Sequence, residues 1–251
     1  MTPLVVDGLG FIGPSLFGSD QSKKSLLARM EAAGVDVTAV AVNRPPDYNL
    51  APANTWLAEA VATSDDHLVG LARVDPNHRG AAEHAEHGLS TLGLHGLLLH
   101  PREEVFRIDD GRVDVIVDVA GAHGRPVVVS AGWPWVAEAL QVAELAARHP
   151  DVRFVMTNGG QFNISGLGQF DAELALQRCA NLAMFTNGVY RQDFIERVIA
   201  EFGADRVLFA AASPQFEVAY ELLRVQNADV PNEAQRARVL GRNACDLYGL
   251  A

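Results

Sequence analysis

Two hydrophobic periods alternate along the chain. Short runs of consecutive apolar residues, the mark of strands covered on both faces, are separated by stretches with helical spacing. PLVVD (3–7) reads as the first strand, and Ser19 is placed to cap a helix from Asp20 to Ala33 that stops at Gly34. VTAVAV (37–42) is a second strand, rich in β-branched residues. Pro45, Pro46 and Pro52 bracket a loop, after which NTWLAEAVAT (54–63) has helical spacing. LVGLARV (68–74) is the third strand, and Asp75, Pro76 and Asn77 open the next helix. GLLLH (96–100) is the fourth strand, and RVDVIVDVAGAHG (112–124) reads as the helix after it. PVVVS (126–130) precedes an amphipathic helix over 136–149. RFVMTN (153–158) leads through a glycine-rich loop (159–168) to a helix near 170–180. NLAMFTN (181–187) pairs with a helix near 191–202, and RVLFAA (206–211) with one from about 215 to 226. A last helix is expected from Asn232 to Tyr248.

Eight strand–helix units in 251 residues predict an α/β fold with a parallel sheet. A closed (β/α)8 TIM barrel takes about 250 residues, so the expectation is one barrel domain over residues 1–251 with an additional C-terminal helix. An open doubly wound sheet is the alternative, and the count of eight favours closure.

Composition narrows the partners. Hydrophobic residues make up 49 % of the chain and charged residues 20 %, enough apolar material for a large core. The formal net charge of −11 repels phosphate backbones and anionic lipid, so neither nucleic acid nor a membrane surface is an expected partner. The opening MTPLVVDG lacks the basic-then-apolar pattern of a signal peptide, and a cytoplasmic protein is expected. Cys179 and Cys245 have no metal-site spacing and read as buried free thiols.

Several phrases resemble the amidohydrolase-related family of metal-dependent hydrolases, lactonases and non-oxidative decarboxylases. NTWLAEAVATSDDHLVGLARVDP (54–76) is similar to its second helix and third strand, and GLHGLLLHP (93–101) to its strand-four phrase. HPDVRFVMTNGG (149–160), GADRVLFAAASP (203–214) and VPNEAQRARVLGRNACDLYGL (230–250) resemble strand six, strand eight and the closing helix. The resemblance implies a divalent metal at the C-terminal rim of the barrel. Its ligands would be a His-x-His pair after strand one, a His after strand five, often a His after strand six, and an Asp after strand eight. Imidazole and carboxylate grip such an ion while an open position lets it activate water.

This chain departs at each place. In VVDGLGFIG (5–13) the His-x-His positions are Leu9 and Phe11. The strand-five position is Ser130, strand six has Asn158, strand eight has Ala212, and the usual strand-four polar position is Leu98. Leu9, Phe11 and Ala212 offer no lone pair, and Ser130 and Asn158 are weak neutral donors, so neither a metal nor another cofactor is expected.

The remaining rim chemistry is sparse. His100 ends strand four and reads as a structural hydrogen-bonded His or a pocket contact, with Glu103 and Glu104 beside it expected to be solvated. His84 and His87 share a helix face whose glutamates mark it as exposed. Trp133 and Trp135 follow strand five and either cover the barrel end or line a pocket. Phe11, His100, Ser130, Trp133, Asn158, Asn187 and Ala212 are thus the candidate pocket residues, and none is assigned as catalytic. The first reading is an inactive amidohydrolase-like barrel, a pseudoenzyme acting as a structural or regulatory subunit. Its expected partner is a related active amidohydrolase or a second copy of itself. The alternative is a metal-independent hydrolase, lactonase or decarboxylase, or a binder of a small molecule at the barrel mouth.

Overall fold

The computed structural model describes residues 4–162 and 166–250. Strand β1 (Val6–Ile12) leads into α1 (Lys23–Ala33), and β2 (Val37–Val42) into α2 (Leu50–Ala62). The third barrel strand comes in two pieces, β3 (Leu68–Gly70) and β4 (Ala72–Arg73), followed by α3 (Ala81–Glu86). β5 (Leu97–Leu99) runs into the short α4 (Pro101–Glu104) and then α5 (Asp114–Ala122). β6 (Val127–Val129) is followed by α6 (Ala139–Arg148), and β7 (Phe154–Met156) by α7 (Gly166–Arg178). β8 (Leu182–Phe185) is followed by α8 (Gln192–Phe202), and β9 (Val207–Leu208) by α9 (Val218–Gln226). The chain closes with α10 (Glu233–Ala237) and α11 (Asn243–Tyr248).

All the ladders are parallel. The third strand stays continuous through Leu71, whose N–H donates to the Val40 carbonyl at 2.8 Å. The circle closes where the chain beyond β9 meets β1. There Gly8 N donates to Phe209 O (2.9 Å), Ala212 N to Leu9 O (2.7 Å) and Phe11 N to Ser213 O (2.7 Å). The result is the expected (β/α)8 barrel. Its interior is packed with Leu9, Phe11, Ala41, Leu71, Leu98, Val128, Val155, Phe185 and Leu208. The outward faces of the strands meet the helices in a second, larger cluster. Each fully buried Val, Leu or Phe contributes about 1.5–3 kcal/mol relative to exposure. Tyr248 of α11 stoppers the N-terminal end, its hydroxyl donating to Gly8 O at 2.8 Å. Among the described residues no helix is long and apolar enough to cross a membrane.

Several boundaries differ from the sequence expectation. The first strand covers Val6–Ile12, not 3–7, because its backbone is paired on both sides although Asp7, Gly8 and Gly10 interrupt the apolar run. The cap of α1 is Ser22, whose Oγ accepts from Ser25 N at 3.1 Å, while Ser19 is turned to Ser15. Pro52 lies inside the first turn of α2, where its missing N–H is not needed. Residues 75–77 form a turn, and the helix starts later, at Ala81. The last helical stretch is α10 and α11 joined by a π-turn over Arg238–Arg242. Cys179 is buried as expected; Cys245 is only half-buried.

Candidate functional site at the barrel mouth

The C-terminal ends of the strands form two chemically distinct half-rings. The first belongs to β2, β4 and β5. Arg73, at the end of β4, is held in place by Asn54 of α2, which donates to its carbonyl (2.9 Å) and accepts from its N–H (3.1 Å). Its guanidinium donates to Val42 O through Nη1 (3.1 Å) and to Glu104 Oε1 through Nε (3.1 Å) and Nη2 (2.8 Å), and also pairs with Glu103. Arg44, just beyond β2, donates to the same Glu104 Oε1 at 2.6 Å and lies 3.6 Å from Asp75. Arg73 and Glu104 are each at most 3 % exposed. Burial lifts the Glu104 carboxyl above its usual range, and the two guanidinium groups oppose that rise. Among the described residues, Glu104 Oε2 and Arg44 Nε have no partner.

His100 lines this half-ring as the cap of α4. Its Nδ1 accepts from Glu103 N at 3.3 Å, and its Nε2 lies 3.7 Å from Glu103 Oε1. Burial, reinforced by Arg73, holds its pKa well below the usual imidazole value, so the ring is neutral at neutral pH. Phe11 meets it edge-on, with ring centroids 6.4 Å apart. The expectation that Glu103 and Glu104 would be solvated is therefore overturned. Two arginines that the sequence reading passed over, Arg44 and Arg73, draw Glu104 out of solvent. The available signal was one arginine inside the apolar run LVGLARV.

The second half-ring, at the ends of β6 to β9, is built mainly from neutral side chains. Thr157 Oγ1 accepts from Ala131 N (3.0 Å) and from Asn158 Nδ2 (2.9 Å). Asn158 Nδ2 also donates to Ala131 O at 3.0 Å, and its Oδ1 accepts from Asn187 Nδ2 at 2.9 Å. Asn187 Oδ1 in turn accepts from Asn158 N at 3.3 Å. Where the ring closes on β1, Ser213 Oγ donates to Gln21 Oε1 (3.0 Å), and Gln21 Nε2 donates to Phe11 O (2.7 Å).

A cover lies over the neutral half. Gly132 (φ +88°) bridges to Gln161, and a Cβ there would sit 2.6 Å from the Gln161 backbone, so the position requires glycine. Trp133 follows, its Nε1 donating to Ser130 Oγ at 3.3 Å and its ring stacked on Phe162 at 4.1 Å. Arg102 lies over the same ring, 4.1 Å from its centroid. Loops from three strands thus meet above the mouth. Trp135 does not join them and is 79 % exposed. Part of the glycine-rich loop (159–168), residues 163–165, lies outside the described residues.

The fold therefore brings the candidate residues to one rim. Phe11, His100, Ser130, Asn158, Asn187 and Ala212 are all buried there, and Trp133 is half-buried above them. Among the described residues, no hydrogen bond joins His100 to Ser130. The donors do not fit a divalent ion. Leu9, Phe11 and Ala212 present carbon, the Asn158 amide is hydrogen-bonded on both its atoms, and Ser130 offers one neutral hydroxyl. No group of three His, Cys, Asp or Glu side chains suited to a metal assembles among the described residues.

Comparison with known proteins agrees with the fold. The amidohydrolase family profile matches residues 11–250. The chain belongs to the amidohydrolase family. No curated protein sequence matches it significantly. Among solved structures it is similar to 5-carboxyvanillate decarboxylase from Sphingomonas paucimobilis, with a TM-score of 0.80, 16 % identity and 100 % of both chains covered. It is similar also to 2,6-dihydroxybenzoate decarboxylase from Rhizobium, with a TM-score of 0.78, 18 % identity and 99 % of both chains covered. A dihydroxybenzoic acid decarboxylase from a Polaromonas species, holding manganese and the inhibitor 2-nitroresorcinol, gives a TM-score of 0.77 at 17 % identity, covering 99 % of this chain and 97 % of that one. At such identities the likeness shows the shared barrel.

Proposed function

We propose that this chain is a catalytically silent amidohydrolase-fold protein that serves as a structural or regulatory subunit of a related, active amidohydrolase. The observation that carries the reading is the mouth. Its polar side chains are spent largely on one another, and Trp133 covers the neutral half. A barrel that keeps its shape without this chemistry retains its outer faces. Oligomers of related chains assemble through such shared surfaces, and a diverged copy inherits them. The test is purification of the tagged chain from its own host at native expression level, with mass spectrometry of what accompanies it. A stoichiometric amidohydrolase partner is expected. A chain that elutes as a monomer and retains no related barrel overturns the reading.

The charged half-ring favours a second reading, a metal-independent decarboxylase or hydrolase. Among the described residues, Glu104 Oε2 and Arg44 Nε are unpartnered beside the neutral His100, which leaves capacity for a bound group. The test is turnover of 2,6-dihydroxybenzoate or 5-carboxyvanillate in the presence of a chelator. Activity that survives the chelator and disappears in His100→Ala supports this reading; no turnover by the wild-type chain excludes it for these substrates.

A further inference from the structure

A cavity of about 330 Å³ lies off the barrel axis, between the C-terminal ends of β1 and β2 and the start of α2. Its walls are apolar: Ile12 and Val42 from the strands, Ala53 and Trp56 from the helix. Three prolines, Pro14, Pro45 and Pro52, complete them, and each has its φ fixed by its own ring. Gly13 turns the chain at the end of β1 with φ +97°, and a Cβ there would press to 3.3 Å from the Trp56 ring. The cavity is thus built from stiff elements and needs little ordering to receive a ligand.

Its polar groups are biased toward acceptors. Asn43 is buried, and its Nδ2 donates to Gly13 O (2.9 Å) and Ser19 O (3.1 Å). Both amide hydrogens are used, which fixes the amide orientation and leaves Oδ1 as the atom with unused capacity. Asp47 Oδ1 accepts from Asn49 N at 3.0 Å, and its carboxylate brings negative charge to the lip. Among the described residues no cation lines the cavity; the neighbouring Arg44 donates through Nη1 to Glu104 and lies against the face of Tyr48.

We infer that this cavity is a binding site for a small single-ring aromatic molecule that carries a hydroxyl or amino donor and no carboxylate. The ring takes the apolar space against Trp56. The donor is aimed at Asn43 Oδ1 or the Asp47 carboxylate. The volume is adequate: an apolar cavity of about 150 Å³ holds benzene, and ligand pockets begin at about 300 Å³. An aryl carboxylate would meet Asp47 with like charge and find no donor comparable to a guanidinium. The site borders the charged half of the mouth through Val42 but does not rest on the subunit reading, since none of its groups belongs to the covered neutral rim.

Calorimetric titration of the purified chain with p-cresol, tyramine and benzoate tests this. Both phenols are expected to bind with one-to-one stoichiometry, and benzoate at least about tenfold more weakly. Trp56→Ala should weaken both phenols by about tenfold or more. Ala53→Leu, which narrows the cavity from an adjacent position on α2, should do likewise while leaving the circular dichroism spectrum unchanged. Asp47→Asn should weaken the cationic tyramine several-fold more than p-cresol. The proposal is overturned if benzoate binds as well as the phenols, if the variants leave phenol binding intact, or if neither phenol produces saturable heat at millimolar concentration.

Discussion

The two half-rings at the mouth solve the same problem with different chemistry. Both bury polar side chains where the strands end. The β6–β9 side does so with neutral groups: Thr157, Asn158 and Asn187 satisfy one another at ordinary hydrogen-bond lengths. The β2–β5 side buries Arg44, Arg73 and Glu104 instead, with Glu103 half-buried beside them, and each charge depends on its partners remaining in place. A neutral network loses a hydrogen bond or two when one member is removed. A charged one strands an ion in low dielectric, so the same truncation costs more there. Asp7, on the seam between β1 and β9, shows what a buried charge without a counterion does. Its Oδ1 accepts from Ala211 N (2.8 Å) and Leu9 N (3.1 Å), but among the described residues Oδ2 has no partner, and burial pushes its pKa from 3.8 up to about 7.

Glu104→Ala is expected to have the largest effect, because it leaves Arg44 and Arg73 buried without their shared countercharge. A loss of about 3–5 kcal/mol in denaturant unfolding is predicted. A loss under about 1 kcal/mol would show that the charged half is solvated in solution and would erase the contrast with the neutral half.

Asp7→Asn probes the unpaired charge through pH. Between about pH 4 and 7 the folded chain keeps the Asp7 proton that the unfolded chain has released, so this group's contribution to stability falls as pH rises through that window and is flat above it. The loss reaches at most about 4 kcal/mol by pH 8. His100 acts in the opposite direction: its depressed folded pKa makes stability rise with pH up to the ordinary imidazole range. Subtracting the unfolding curves of wild type and variant cancels the His100 contribution. The variant should then gain on wild type as pH rises from 5 to 8. A constant difference would mean that the seam is wet.

Asn158→Ala should cost less than Glu104→Ala, about 1–3 kcal/mol. It breaks the amide pair with Asn187 and puts alanine at φ +56°, a backbone region asparagine tolerates better. Trp133→Ala ranks last, at about 1 kcal/mol, because its ring stack and cation–π contact lie at a partly solvated edge. If Trp133→Ala destabilised the chain as much as Glu104→Ala, the cover and not the charged network would be holding the mouth closed.

The barrel was legible because runs such as VTAVAV and PVVVS announce strands buried on both faces, and helices fill the intervals between them. On the neutral side, the rim positions of Ser130, Asn158 and Asn187 were also legible, since these residues end recognisable strands. The charged half was not. Adjacent glutamates on a loop ordinarily face water. Only the meeting of Arg44 and Arg73, from the ends of two other strands, draws Glu104 inside, and no local pattern records contacts made across 31 or 60 residues of sequence. The off-axis cavity was hidden for a similar reason: Pro52 reads as a loop residue in sequence, but it lies in the first turn of α2 and forms part of the cavity wall.

A catalytically silent barrel, as proposed above, has a mouth that holds no metal; among the described residues no group of three His, Cys, Asp or Glu side chains suited to one assembles. Elemental analysis of the natively purified chain, repeated after incubation with manganese and zinc and removal of free ions, tests it most directly. Well under one equivalent of metal per chain is expected in both samples. About one tightly bound manganese or zinc per chain, lost on substitution of His100 or Glu104, would contradict it.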